Sequence, residues 1–219
     1  MKKIISTLAF FFLSISFCFP QWQPDMRLTN DTASSETSYN NAWCVGSGGS
    51  YVHIVWSDNR DGNYEIYYKR SSDNGISWGA DTRLTNNSFS STSPSISVYS
   101  SYIHILWTDN RDGNNEIYYK RSTDNGVTWG ADTRLTNNSF SSLYPSIVAY
   151  SSNVYIAWCE SNLGANLYFN SSSNWGVTWD TAVSLLFYNF TPYFLPSIAV
   201  SSVCNKFRSL HHDYLSTLH

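Results

Sequence analysis

Two six-residue segments combine carboxylates, amides and an arginine in the same order, Asp58-Asn59-Arg60-Asp61-Gly62-Asn63 and Asp109-Asn110-Arg111-Asp112-Gly113-Asn114. Carboxylate and amide oxygens are the ligands that Ca²⁺ prefers, so each segment has the composition of the opening of a calcium loop. The bidentate glutamate that closes such a loop is not in place, and Asp-Gly is also a common signal for a hydrated hairpin turn. Both interpretations, a ligand or calcium loop and a plain turn, stay open for eight residues: Asp58, Arg60, Asp61, Asn63, Asp109, Arg111, Asp112 and Asn114.

The arginines and glutamates that could act in catalysis recur at matching positions. A single catalytic centre needs residues that differ from one repeat to the next, so identical recurrence predicts no catalytic residue. Calcium is the one cofactor that the sequence suggests, and the third copy, with Cys159–Gly164 at this place, would not bind it. The recurring residues are Arg60 with Arg111, Arg70 with Arg121, Arg83 with Arg134 and Arg27, and Glu65 with Glu116, whereas Arg208 has no counterpart.

Pairs of tyrosines recur on predicted strands, where successive side chains point to opposite faces of a sheet. We expect some of these rings to be exposed, where they would suit a sugar-binding surface. Ordinary packing between neighbouring repeats is the alternative. The four residues are Tyr67, Tyr68, Tyr118 and Tyr119.

The histidines and cysteines give little sign of a metal site or a disulfide framework. His53 and His104 recur inside apolar strands and are predicted to be packing residues, and His211 and His212 form no metal set with the rest of the chain. Three cysteines remain after residue 20, at positions that do not match between repeats. Because an odd, unmatched set is untypical of a disulfide scaffold, the fold is expected to be stable without one.

The elements that must position these residues come from a repeat of 51 residues. Trp56, Trp107 and Trp158 recur at that spacing, as do three prolines, and Arg27-Leu28-Thr29 repeats the end of the same unit. A period of this length is typical of propellers and solenoids. The sequence therefore predicts about three full units and a partial one before the first.

Each unit divides into four short β-like runs separated by turn-forming residues. Four antiparallel strands in 40–50 residues are typical of a propeller blade, and a stacked solenoid of sheets is the alternative. No ten-residue stretch shows a helical period, so an all-β fold is predicted. In the second unit the runs are Ser95–Tyr99 (or its equivalent Ser146–Tyr150), Tyr102–Trp107, Glu116–Arg121 and Val127–Leu135.

The turn before the fourth run carries the sharpest motif, Ser-x-Asp-x-Gly-x-Thr/Ser-Trp, here called a box. It occurs at Ser71–Trp78 and Ser122–Trp129, and Ser172–Trp179 keeps the spacing with asparagine in place of aspartate. This motif resembles the Asp-box, or BNR repeat, of the sialidase-like β-propeller superfamily, and the resemblance covers about residues 25–201. The residues that carry it are Ser71, Asp73, Gly75, Trp78, Ser122, Asp124, Gly126, Trp129, Ser172, Asn174, Gly176 and Trp179.

The chemistry of the box is that of a turn. The aspartate can accept hydrogen bonds from turn amides, the glycine can take a positive φ, and the tryptophan is predicted to be an apolar anchor. If Trp78 and Trp129 are fully buried, their replacement by alanine costs about 3–5 kcal/mol. The resemblance also implies that boxes lie away from an active site.

Strand parity places the boxes and the Ser-Ser turns on one face of the propeller. The opposite face then carries the Asp58–Asn63 and Asp109–Asn114 turns with the Asn86–Ser91 and Asn137–Ser142 loops. The resemblance implies that ligands bind on this second face. Sialidases use three arginines, a Tyr/Glu pair and an acidic acid/base there, and no residue of this chain can be matched to them.

The two ends of the chain differ from the repeat. Residues 1–20 have the basic start and apolar run of a signal peptide, which predicts a secreted or cell-surface protein. Residues 21–201 are assigned to the blades. Residues 202–219 form a non-repeat tail, which suggests a truncated or frame-shifted end.

Composition bounds the partners. A formal net charge of −3 gives no electrostatic reason to bind nucleic acid, and no membrane span is predicted. The leading hypothesis is a non-catalytic module that binds glycans or surface proteins through its repeated loops. The alternatives are a fragment of an exo-alpha-sialidase or related glycoside hydrolase, and a structural spacer. The sialidase family closes its propeller with six blades, so self-association or further blades are expected to complete this one.

Overall fold

The structure is a computed structural model that describes residues 24–38, 44–161, 165–187, 195–201 and 204–210. Its elements are all β-strands, which confirms the predicted fold class. None of the described residues belongs to a helix long and apolar enough to cross a membrane. The predicted signal peptide lies outside the described residues.

Within the described ranges, fifteen strands form four antiparallel sheets. The first three sheets are the predicted blades. Blade 1 comprises β1 (Ser35–Glu36), β2 (Val45–Gly48), β3 (Tyr51–Asp58), β4 (Glu65–Ser71) and β5 (Thr82–Arg83). Blade 2 comprises β6 (Ser91–Tyr99), β7 (Tyr102–Asp109), β8 (Glu116–Ser122) and β9 (Thr133–Arg134). Blade 3 comprises β10 (Ser141–Tyr150), β11 (Asn153–Ser161), β12 (Ala165–Ser172) and β13 (Val183–Phe187), and a further sheet pairs β14 (Ser197–Ser201) with β15 (Cys204–Leu210).

One predicted strand boundary is wrong. The fourth strand of blade 2 was expected over Val127–Leu135 but forms only over Thr133–Arg134, because the end of the box is held as a turn by its own side chains. Within the predicted non-repeat tail, Cys204–Leu210 form a strand that pairs with β14. Strand pairing thus continues past the point where the sequence repeat ends.

The core lies between blades rather than within them. Successive residues of a strand point to opposite faces, so each middle strand packs against two neighbours. On β7, Ile105 packs in the cluster shared with blade 1 and Leu106 packs in the cluster shared with blade 3. Both side chains are fully buried. This stacking explains why the β3, β7 and β11 sequences are nearly continuous apolar runs.

The first strands of adjacent blades are joined by serine hydroxyls. Ser97 Oγ accepts a hydrogen bond from Ala149 N (2.8 Å), and Ser146 Oγ accepts one from Ile198 N (3.3 Å). These strands line an open groove of about 450 Å³, and the lining residues are mostly aliphatic. Gly46 is required here, because a Cβ at this position would lie 2.7 Å from a methyl group of Val98.

The two predicted faces are confirmed by the turn hydrogen bonds. On the box face, the box amide Asn125 N donates to Ser101 O (3.0 Å), and Trp175 N donates to Ser152 O (2.7 Å). On the loop face, Asn110 N donates to Ser90 O (3.3 Å), which ties a blade turn to the loop that precedes it. The box face therefore comprises the three boxes and the Ser-Ser turns, and the loop face comprises the Asp-Gly turns and the loops between blades.

Residues 24–30 belong to a separate small unit. Within it, Arg27 Nε donates to Thr29 O at 2.6 Å, the same local bond that Arg83 makes to Thr85 O at 2.8 Å. The Arg-Leu-Thr triplet thus has the same local conformation at both places.

Candidate functional site

The Asp58–Asn63 turn of blade 1, on the loop face, is organised around the carboxylate of Asp58. Its carboxylate accepts hydrogen bonds from Arg60 Nε (3.0 Å), Arg60 Nη2 (2.7 Å), Trp56 Nε1 (3.0 Å) and Ser35 Oγ (2.8 Å). Burial raises the pKa of Asp58, but these donors outweigh burial and hold the pKa well below its usual range. Arg60 also contacts Asp81 at 2.8 Å. Asp58 is therefore an ionised anchor that fixes the arginine.

Blade 2 repeats this arrangement. Asp109 accepts hydrogen bonds from Arg111 Nη2 (2.6 Å) and Trp107 Nε1 (2.9 Å), and Arg111 reaches Asp132 at 2.9 Å. Each arginine also lies over a tyrosine ring, 4.4 Å from its centroid in both blades. The sequence predicted the recurrence of the arginines but not their shared partners, which are separated by 21 residues along the chain.

The first carboxylate of each Asp-Gly turn is engaged by protein donors. Asp58 and Asp109 are fully buried and direct their oxygens at arginine, tryptophan and serine donors. The described residues contain no group of three or more acidic, histidine or cysteine side chains that could hold a metal. These contacts are those of a hydrogen-bonded turn, and calcium binding at the two segments stays a prediction.

A second cluster surrounds Glu65, which is also fully buried. Its carboxylate accepts hydrogen bonds from Arg83 Nη2 (2.9 Å), Asn87 N (3.0 Å) and the hydroxyl of Thr85. Arg83 additionally pairs with Asp61 at 3.0 Å. The Arg-Leu-Thr triplet is therefore scaffold, as predicted, and Asp61 is paired with an arginine outside its own turn.

The corresponding cluster in blade 2 has the same partners. Glu116 pairs with Arg134 at 2.8 Å, and Asp112 pairs with Arg134 at 3.1 Å. These two blades thus use their acidic residues to fix arginines, and the main ion pairs recur in both, although Arg60 has an additional ion pair with Asp31 at 2.7 Å that has no counterpart among the described residues of blade 2. Such symmetry is typical of scaffold rather than of a catalytic centre.

Asn63 fixes the loop that crosses from blade 1 to blade 2. Its Nδ2 donates to Asn87 O (3.2 Å) and to Phe89 O, and Phe89 N donates to Asn87 Oδ1 (2.7 Å). The amide of Ser90 donates to Asn110 Oδ1 at 2.9 Å. The loop is therefore tied to both blades that it connects, and it presents the ring of Phe89, which is 47% exposed.

The next loop repeats this geometry. Asn114 Nδ2 donates to Asn138 O (3.1 Å) and Phe140 O (2.6 Å), and Phe140 is 38% exposed. Strand parity predicts these loops on the face that carries ligands in the resembling family, but it does not single out the phenylalanines. Their signal was available, because an aromatic residue recurs at the same position of a turn-forming loop.

The expectation that some tyrosines of β4 and β8 are exposed is wrong. All four are at most 6% exposed. Tyr68, Tyr118 and Tyr119 lie in the clusters between blades, and Tyr67 is covered by Trp56 and Arg60 of its own blade. Tyr68 hydrogen-bonds to His53 at 2.6 Å, and Tyr119 hydrogen-bonds to His104 at 2.7 Å. Burial lowers the pKa of each histidine to about 4, with a further contribution from a neighbouring arginine. The histidines are packing residues, as predicted.

The boxes are held by a compact set of internal hydrogen bonds. Asp124 accepts hydrogen bonds from Thr128 Oγ1 (2.6 Å), Thr128 N (2.9 Å) and Ser122 Oγ (2.7 Å), and Ser122 Oγ accepts one from Gly126 N (2.9 Å). The bond from the Thr128 hydroxyl makes the largest contribution to lowering the pKa of Asp124 to about 2. Asp73 has equivalent bonds to Ser77.

The box tryptophans are anchors between blades. Trp129 meets Tyr68 of blade 1 edge-on at 4.9 Å between ring centroids, and Trp179 meets Tyr119 of blade 2 at 5.2 Å. Trp78 and Trp129 are only half-buried, so the full cost expected for a completely buried tryptophan does not apply.

Tyr68 also explains the box glycine. Gly126 has φ +75°, and a Cβ there would lie 2.0 Å from the hydroxyl oxygen of Tyr68. Gly176 has the same relation to Tyr119, at 2.1 Å, whereas a Cβ on Gly75 would contact only its own box. The glycine is required by its φ in all three boxes and by a close tyrosine in two of them.

Blade 3 keeps the box and loses the charge clusters. Glu160 replaces the anchoring aspartate, and burial raises its pKa, with Asn138 donating to it at 3.0 Å. Asn166 stands where the other blades have Glu65 and Glu116, and it is buried with neither amide atom hydrogen-bonded among the described residues. The segment Cys159–Gly164 contains no arginine.

The fold resembles that of sialidase propellers. A Trypanosoma rangeli sialidase in complex with the inhibitor DANA aligns with a TM-score of 0.53 and 12% identity, covering 76% of this chain and 33% of that one. A protein of unknown function from Dyadobacter fermentans aligns with a TM-score of 0.52 and 13% identity, covering 68% of this chain and 42% of that one. No protein-family model matches the chain, and no curated protein matches its sequence.

These likenesses establish the class of fold. The protein has antiparallel blades of the sialidase-like propeller type, and it spans about a third of the length of the sialidase chains that it resembles.

Proposed function

We propose that this protein is a secreted or cell-surface Asp-box propeller that binds glycans or surface proteins, without catalysis, through the repeated loops of its loop face. The observation that carries the proposal is the pair of exposed phenylalanines, Phe89 and Phe140, at matching positions of two loops. Binding residues are concentrated on loops that a rigid scaffold positions, and an aromatic ring buries a large apolar area when a ligand contacts it.

The loops are ordered before a ligand arrives. Asn63 bonds to two carbonyls of the first loop, and Asn110 brackets the same loop from blade 2. A ligand that contacts Phe89 therefore does not have to order the loop, which reduces the entropic cost of binding.

Two like loops suit a ligand that repeats. Each site alone would be weak, since one half-exposed ring buries little area. A repeating glycan or a clustered surface protein can occupy both loops, and the second contact then forms at a high effective concentration. Binding is expected to weaken disproportionately when one of the two phenylalanines is removed.

The charged residues favour binding over catalysis. The arginines of the described clusters are held by buried carboxylates, and the same bonds recur in blades 1 and 2. The described residues that line the open groove along the first strands of the blades include no ionisable side chain. General acid–base chemistry requires an acid and a base that converge on a reacting group, and neither place supplies them.

The test is binding of the purified protein to a glycan array and to a surface-protein array. We expect each single variant to lose most of the signal, because the benefit of the second contact is lost, and the Phe89→Ser/Phe140→Ser double variant to lose the signal almost entirely. Val127→Ser, which removes an exposed apolar side chain from the box face, is the matched control and should bind like the parent. Unchanged binding by the double variant would refute the proposal.

A second candidate is part of an exo-sialidase or related glycosidase, and the likeness to the Trypanosoma rangeli sialidase propeller favours it. Release of fluorophore from a fluorogenic sialic-acid glycoside by the purified protein, beside a heat-inactivated control, would support this candidate. If the folded protein releases no fluorophore, the binding function is favoured over catalysis.

A further inference from the structure

The third box departs from the other two at one position. Trp175 has φ +62°, whereas the matching residues of the first two boxes are Asn74 (φ +59°) and Asn125 (φ +56°). Asparagine adopts this left-handed conformation readily, but a bulky side chain there is an outlier. Such outliers concentrate at functional sites, where the surrounding structure holds them in place.

Trp175 lies in a group of aromatic rings on the box face. Its ring stacks on Tyr102 at 4.0 Å between centroids with an interplanar angle of 21°, and Tyr99 lies at 6.1 Å. Tyr150 meets Tyr99 edge-on at 5.4 Å. All four rings are half-buried, so each keeps part of its surface open to solvent.

The backbone of the box holds the tryptophan regardless of its side chain. Arg121 Nη1 donates to Trp175 O at 2.8 Å, as Arg70 Nη1 donates to Asn125 O at 2.9 Å. Blades 1 and 2 thus make the same contact with asparagine at this position. Stacking of the blades therefore does not require the tryptophan, and another role accounts for a strained aromatic residue here.

We propose that Trp175, Tyr102, Tyr99 and Tyr150 form a binding platform for neutral pyranose rings of a polysaccharide. Flat aromatic surfaces match the C–H face of a pyranose, and the phenol hydroxyls of three tyrosines can exchange hydrogen bonds with sugar hydroxyls. The four rings carry no charge, so the platform itself offers no cationic partner for the carboxylate of an acidic sugar. A neutral sugar is therefore favoured over an acidic one.

This platform goes beyond the proposed function. It lies on the box face, away from Phe89 and Phe140. Its central residue, Trp175, differs from the matching residues of the other boxes, whereas Phe89 and Phe140 occupy matching positions of the repeat. The two sites can therefore be removed separately, and the loss of one leaves the other intact.

The test is calorimetric titration of the purified protein with three neutral probes, cellohexaose, chitohexaose and mannohexaose. At least one is expected to bind, and Trp175→Asn should weaken that binding at least tenfold. Trp175→Asn introduces the residue that the other boxes carry, so it is expected to fold, as circular dichroism would check. Trp175→Tyr, which keeps a flat ring, should retain binding to within a few-fold.

The Phe89→Ser/Phe140→Ser variant separates the two proposals. It is expected to bind the hexasaccharide as the parent does, even where it has lost its array ligand. Absence of binding by all three probes to the folded parent protein, or equal binding by the parent and Trp175→Asn, would overturn the platform.

Discussion

Blades 2 and 3 share a box and differ in nearly every charged contact. In blade 2 the box aspartate accepts a hydrogen bond from Thr128 Oγ1, whereas in blade 3 Asn174 Nδ2 donates to Thr178 Oγ1 at 2.8 Å. The direction of this bond reverses and the turn is kept. The box is thus a geometric device that an amide can serve as well as a carboxylate.

The charge clusters behave differently. Trp107 Nε1 donates to Asp109 in blade 2, but Trp158 Nε1 has no hydrogen-bond partner among the described residues of blade 3. Blade 3 nonetheless pairs its four strands in the same order. The clusters are therefore not needed to form a blade. Where they are present, their buried members depend on one another.

The largest effect on stability is expected from the contact between the box glycine and a tyrosine of the preceding blade, which blades 2 and 3 both have. Gly126→Ala and Gly176→Ala each place a methyl group against a buried tyrosine, and we expect a loss of about 2–4 kcal/mol in the free energy of unfolding, from overpacking added to the positive φ. Gly75→Ala meets no tyrosine and should cost only about 1–2 kcal/mol, for φ alone. Urea denaturation of the three variants measures the difference, and equal losses would show that the tyrosine contact is unimportant.

The charge clusters should respond with opposite signs in the two blades. Glu116→Gln leaves Arg134 without its buried carboxylate and is expected to cost about 2–3 kcal/mol, less than for a fully buried pair because Arg134 is partly exposed. Asn166→Leu removes a buried amide that has no hydrogen-bond partner among the described residues and should stabilise the protein by about 1 kcal/mol. Denaturation midpoints of both variants test this contrast. A destabilised Asn166→Leu would show that the amide has a role in blade 3.

A pH effect is expected from the histidine–tyrosine pairs, which blade 3 replaces with Tyr155 stacked on Phe169. The folded pKa of His53 and His104 is about 4, below the value of 6.5 for a free histidine, so the unfolded chain binds more protons between these values. Stability should therefore rise with pH from about 4 to 6.5. Thermal melts across this range should lose much of their slope in the His53→Gln/His104→Gln variant, and an unchanged slope would assign the effect to other groups.

The smallest effect is expected from exchanging the box residues. Asp124→Asn copies the residue that blade 3 uses and should change the melting temperature less than any substitution above. The pKa of Asp124 is about 2 in the folded protein, below the usual 3.8, so its contribution is present at neutral pH and is lost as pH falls through that interval. The variant should lack this part of the acid sensitivity. A large loss at neutral pH would show that the carboxylate is essential in blade 2.

Much of the fold could be predicted from the sequence because a blade is local. Its hairpins join neighbouring segments, so the alternation of apolar runs and turn residues gave the strands β7 and β8 to within two residues. The assignment of boxes and loops to opposite faces followed from strand parity. The extent of the fourth strand did not follow, since the box side chains compete with strand pairing over Val127–Leu135.

The candidate site was predicted less well, because it depends on side-chain contacts between residues that are distant in sequence. The sequence pointed to Asp58 and Asp61 as possible ligand residues, and the structure pairs them with Arg60 and Arg83. It pointed to the tyrosines of β4 and β8 as partly exposed rings, and the structure buries all four. Phe89 and Phe140, on the loops between blades, are exposed instead.

The sequence by itself determined the repeat, the strands, the boxes and the two faces, since each depends on residues within one turn or hairpin of each other. Only the tertiary structure decided which side chains are free to bind. Tyr68 of blade 1 is buried against Gly126 of the next box, whereas Phe89, on the loop between the same two blades, stays 47% exposed. The local sequence pattern determines a blade, but the exposure of a side chain on that blade depends on how the neighbouring blades pack against it.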